Sequence, residues 1–141
     1  MTVSQIPTST LVTFDPITTA VTAQVSATVI PKIGRIEALH LYAVFAYGSG
    51  GTTCKCWVQT SLDNGVTWVD IGAFAFTTAA AKKGLNIISS ASVVAASTFS
   101  DGTMADDTGL SGYLGQIYRT KITTTGTYAG ATSLNVYAVP K

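Results

Sequence analysis

Ser61-Leu62-Asp63-Asn64-Gly65-Val66-Thr67-Trp68 stands between two runs of alternating residues. Upstream, Cys54, Cys56, Val58 and Thr60 alternate with Lys55, Trp57, Gln59 and Ser61. Downstream, Val66, Trp68, Asp70, Gly72, Phe74 and Phe76 alternate with Thr67, Val69, Ile71, Ala73 and Ala75. A period of two is that of a half-buried strand. Asp63-Asn64-Gly65, between the runs, can reach positive φ without a Cβ clash. The stretch is therefore a hairpin turn. Asp63 is expected to accept hydrogen bonds from backbone N–H groups inside it, and Trp68 to cover the polar turn with its ring.

The rest of the chain carries the same period. Val21, Ala23, Val25, Ala27 and Val29 alternate with Thr22, Gln24, Ser26 and Thr28, a strand closed by Pro31 and Gly34. Residues 36–47 form the most apolar strand, with Leu39, Leu41, Ala43, Phe45 and Tyr47 on one face and Ile36, Ala38, His40, Tyr42 and Val44 on the other. One face is expected to meet a second sheet, while the other needs cover from a loop or another subunit. His40, Tyr42 and Val44 are accordingly the candidate interface. Gly48-Ser49-Gly50-Gly51 reads as a turn, residues 79–84 as one helical turn or a loop, residues 85–90 as a strand, and residues 93–96 as another short strand or its continuation. Residues 97–112 are the longest polar segment. Strands are expected again over 113–125 and 132–139, joined by a turn around Gly126. Residues 1–20, rich in Thr, Ser, Val and Pro, read as an extended N-terminal arm with a short edge strand at 11–14, ahead of a single domain over 21–141. Short strands, short turns and almost no helical periodicity predict an all-β fold. The expected architecture is an antiparallel β-sandwich with a jelly roll as the leading topology.

Composition narrows the function. Of 141 residues, 47% are hydrophobic but only 11% charged, against about a quarter charged in ordinary soluble domains. Thr, Ser, Ala and Gly fill the difference, and mean hydropathy is +0.38. So few charges do little to keep monomers apart, which points to a surface covered by other subunits. No apolar run approaches the length of a membrane span, and Met1 to Pro7 lack the basic start and apolar core of a signal peptide. Synthesis in a cytoplasm is the expectation. A net charge of +1, with Lys82-Lys83 the only basic pair, argues against a nucleic-acid-binding face.

Candidate chemistry is sparse. Cys54 and Cys56 are the only cysteines. At i and i+2 on a strand they share a face but stand about 7 Å apart, outside comfortable disulfide geometry, so they read as buried small hydrophobes. His40 is the only histidine, and no triad-like motif accompanies it. Asp101, Asp106 and Asp107 are oxygen ligands of the kind calcium takes, but their spacing fits no EF-hand loop. Asp63, Asp70, Asp101, Asp106 and Asp107 would have to meet in space for carboxylate catalysis, and their spacing favours no pair. No catalytic, cofactor or metal residue is assigned. The side chains expected to pack are Leu39, Leu41, Phe45, Trp57, Trp68, Phe74 and Phe76.

Two resemblances add to this. The pattern S-x-D-x-G-x-T-W, eight residues at 61–68, is similar to the Asp box, a hairpin motif of sialidase-type propellers and other secreted or virion β-proteins. In those families the box lies away from the active site, which implies a structural hairpin role for Ser61, Asp63, Gly65, Thr67 and Trp68. The forty-to-fifty-residue repeat that a propeller requires, about one per blade, is not visible here. The segments from Trp57 to Phe76 and from Arg119 to the C-terminus resemble those of small β-sandwich proteins of tailed-bacteriophage virions. That resemblance implies a capsid decoration or cement protein, a trimer by preference, bridging capsomers of the major capsid protein after synthesis in the host cytoplasm. A neck or tail component is the nearest alternative. A carbohydrate-binding receptor-recognition module is the other, and it would present exposed aromatics beside polar groups.

Overall fold

The computed structural model describes residues 9–14, 17, 19–26, 36–90 and 95–141. The expectations for residues 1–8, for the strand beyond Ser26 with Pro31 and Gly34, and for residues 93–94 lie outside the described residues. Among the described residues ten strands follow one another: β1 (Ser9–Phe14), β2 (Gln24–Val25), β3 (Ala38–Ala46), β4 (Ser49–Gly50), β5 (Thr53–Ser61), β6 (Val69–Phe76), β7 (Ala81–Ile88), β8 (Ile117–Thr125), β9 (Tyr128–Ala129) and β10 (Ser133–Pro140). Among the described residues there is no helix.

Every ladder is antiparallel. One four-stranded sheet runs β1-β10-β3-β7, a second runs β2-β8-β5-β6, and β4 pairs with β9 in a short ribbon. The fold is all-β, as its period-two patterning requires. Part of the expected arm is integral to it. Ser9–Phe14 is an edge strand on β10, and Ile17 is buried with its N–H donated to Thr132 O at 2.6 Å.

Both four-stranded sheets contribute to one core. Leu39, Leu41, Ala43, Phe45, Ile87, Leu134 and Val136 come from the first, and Cys54, Cys56, Val58, Phe74, Phe76, Tyr118 and Ile122 from the second. Phe45 stacks on Phe76 across the two sheets, ring centroids 4.9 Å apart. Burying a Leu or Phe side chain contributes about 1.5–3 kcal/mol, so this cluster is the main source of stability. Cys54 and Cys56 sit in it as free thiols. Burial pushes Cys54 up to about 12 and Cys56 well above its ordinary value.

Three local readings change. Residues 79–84 do not make a helical turn: Ala81 already pairs with Phe45, and β7 continues to Ile88. Pairing to the long apolar β3 overrides the weak local preference of Ala-Ala-Lys-Lys-Gly. The strand expected from Tyr113 starts at Ile117. On β6 the register shifts between Val58↔Gly72 and Gln59↔Asp70, leaving Ile71 as the extra residue of a β-bulge. The bulge moves Asp70 off the face of Phe74 and Phe76 and onto the opposite face, beside Gln59.

Candidate functional site

At the hairpin, Asn64 and Gly65 have φ of 60° and 93°, the left-handed backbone that Asn and Gly tolerate best. Asp63 accepts from the Thr67 N–H at 2.8 Å, from the Thr67 hydroxyl at 2.5 Å and from the Ser61 hydroxyl at 2.8 Å. Gly65 donates its N–H to Ser61 Oγ at 2.7 Å. The Thr67 hydroxyl is the largest cause of a carboxyl lowered to about 2. The Trp68 ring lies under the Arg119 guanidinium at 4.3 Å. Two apolar side chains project from this pinned turn, Leu62 at 52% and Val66 at 79% exposure. Beside Leu62 is a cleft of about 560 Å³ running to Gly115, Gln116 and Ile117.

The outer face of the second sheet is a closed polar network. Asp70 is fully buried. Its carboxylate accepts from Gln59 Nε2 at 2.8 Å, from the Ser100 hydroxyl at 3.0 Å, and from the N–H groups of Gly102, Thr103 and Met104 at 2.8–3.1 Å. Gln59 Nε2 also reaches Asp101 at 2.6 Å, and Gln59 Oε1 accepts from Arg119 Nε at 2.8 Å. Buried charge survives only when satisfied this fully. Lys121 binds Asp101, Lys55 binds Asp106 and Lys83 binds Asp107. The Lys121 hydrogen bond is the largest cause of the lowered Asp101 carboxyl. The three aspartates of the 97–112 loop thus meet three different lysines, and among the described residues no group of three or more His, Cys, Asp or Glu is placed to hold a metal.

The loop so tied down also pairs with the free edge of β6. Asp70 N–H bonds Ser100 O, Ala73 N–H bonds Thr108 O and Leu110 N–H bonds Ile71 O, each at 2.9 Å. Covering an edge in this way removes a template for strand addition. Trp57 lies beneath the loop at 7% exposure and donates Nε1–H to Met104 O at 3.0 Å. Of the side chains expected to pack, Leu39, Leu41, Phe45, Phe74 and Phe76 enter the shared core. The two tryptophans pack outside it. Asp70 and Asp101 do meet, through Gln59, but Asp70 has no open face, and what it does is hold a loop. Sequence spacing missed this cluster, because the bulge that assembles it leaves no mark in the alternation.

The outer face of the first sheet is different. His40, Tyr42 and Val44 share it, with His40 and Tyr42 exposed and Val44 half-buried. Tyr42 pairs in register with Tyr137 on β10 and with Gly84 on β7. The two tyrosine rings stack, 6.1 Å apart and 27° from parallel. In comparison with known proteins, the chain matches no protein-family model, no curated protein and no solved structure.

Proposed function

We propose that the chain is a non-enzymatic structural protein of a tailed-bacteriophage virion, a capsid decoration or cement protein that bridges neighbouring capsomers. Strand order carries the reading. With the short ribbon of β4 and β9 set aside and the other eight strands numbered in chain order, the sheets run 1-8-3-6 and 2-7-4-5. That succession is the one made by two nested Greek keys, and it supports a jelly-roll β-sandwich, an architecture that serves viral capsid and lectin domains.

The hairpin gives the proposal a contact point. A turn pinned by Asp63 and Ser61 holds Leu62 and Val66 in solvent. Apolar side chains on a rigid base lose little freedom on docking, which favours their use as pegs against the major capsid protein. The sparse charge of the chain supports self-association in addition, with a closed trimer as the expected form. The protein is made in the host cytoplasm and resides on the virion.

Light scattering on a sizing column, followed by co-sedimentation with phage capsids that lack the protein, tests this. A stable trimer that pellets with capsids, and a Leu62→Ser/Val66→Ser variant that folds but stays in the supernatant, is the expected result. A monomer indifferent to capsids would overturn it.

A further inference from the structure

On the outer face of the first sheet, we infer that Tyr42 and its neighbours form a binding site for an acidic glycan, a chain of sugar rings bearing carboxylates. The site is organised by what Tyr42 meets on either side. Toward β10 the neighbour is the stacked ring of Tyr137. Toward β7 it is Gly84, which has no side chain. Gly84 has no positive φ, and a Cβ built on it meets nothing closer than Leu41 O at 3.4 Å. The backbone there does not require glycine, yet glycine leaves a gap beside an aromatic ring that is 41% exposed.

The gap has a polar rim. Alternation on β7 puts Lys82 and Asn86 on the same face at its two ends, and Asn86 stands in register with His40 on β3. His40, Lys82 and Asn86 are all exposed. None of the three makes a side-chain hydrogen bond or ion pair among the described residues. The β3, β7 and β10 residues on this face include no carboxylate. A flat apolar ring wall, free amide and imidazole groups, and an unpaired ammonium together match one ligand chemistry. A pyranose presents a C–H face to the ring and hydroxyls to the rim, and a carboxylate on the sugar complements Lys82. The inference goes beyond the virion proposal and does not rest on it. It gives Tyr42 and His40 a ligand in place of a subunit contact.

The test is a titration of the full chain, followed by NMR and calorimetry, with glucuronate oligosaccharides and with uncharged glucose oligosaccharides of the same length. Uronate oligomers are expected to shift the Tyr42, Lys82 and Asn86 signals, with binding weakening as salt rises. Gly84→Val fills the gap without removing any contact and suits a strand, so it should abolish binding while the fold is kept. Tyr42→Ser should do the same, and Lys82→Gln should weaken uronate binding several-fold. The absence of any shift, full binding by Gly84→Val, or equal affinity for the uncharged oligomers would overturn the inference. So would a stable oligomer that dissociates on Tyr42→Ser, which would return this face to a subunit contact.

Discussion

The outer faces of the two four-stranded sheets use their polar residues in opposite ways. On the second sheet, Gln59, Asp70, Arg119 and Lys121 are bonded to one another or to the 97–112 loop, Asp101 of that loop among the partners, and the loop closes over Trp57. On the first sheet, His40, Tyr42, Lys82 and Asn86 face solvent. A polar face that is sealed contributes to stability. One that is left open contributes little and is available to a ligand. Folding energy and binding capacity have been assigned to different surfaces of one small domain.

The comparison breaks first at Trp57. Trp57→Ala removes the ring under the loop and is expected to lower stability by about 3 kcal/mol, with new protease sensitivity confined to residues 97–112. Unaltered denaturation would mean that the loop merely rests on the sheet. Next comes Asp70→Asn, which keeps the size but faces an amide group toward the N–H donors that the carboxylate serves. A loss of about 2 kcal/mol is expected in urea unfolding.

Between the faces lies Thr120, whose hydroxyl is buried with no hydrogen-bond partner among the described residues. Thr120→Val should raise the unfolding free energy measured in urea by about 1 kcal/mol, a change opposite in sign to the two before it. Acid gives a smaller and local effect. Asp63 is held at about 2, below its ordinary 3.8, and Asp101 is also lowered. A depressed carboxyl stabilises the fold fully above its unfolded value and loses that contribution as pH falls through its folded value. Protection of the Thr67 amide, the factor by which its exchange is slower than that of an unstructured chain at the same pH, should therefore fall as pH drops from near 4 toward about 2, and an Asp63→Asn protein should show low protection at every pH. Smallest of all, Lys82→Gln on the open face should change stability by less than about 0.5 kcal/mol, measured by thermal unfolding. A larger loss would make that face structural after all.

Sequence periodicity reached the parts governed by local rules. The turn at 61–68 was legible because Asp-Asn-Gly and the flanking alternation are local signals. The inward residues of β3 and β5 were legible because Leu39, Leu41, Phe45, Cys54, Cys56 and Val58 keep strict alternation. What escaped depends on partners distant in the chain. The placement of Asp70 rests on one extra residue at Ile71, and a single-residue shift reverses every side chain beyond it. The strand at Ala81–Ile88 exists because β3 pairs with it, not through its own Ala, Lys and Gly residues. Trp57 looked like a core residue because bulk is visible in sequence, whereas a loop folding back from 47 positions away is not.

The two buried thiols have a consequence for redox chemistry. Cys54 and Cys56 lie in the core with their deprotonation strongly disfavoured, and thiolate is the form that oxidants and disulfides attack. While the fold is intact, the two thiols are therefore poor targets for oxidation and disulfide exchange. Both cysteines are free, so a reductant finds no cross-link to open and an oxidant finds no exposed thiolate.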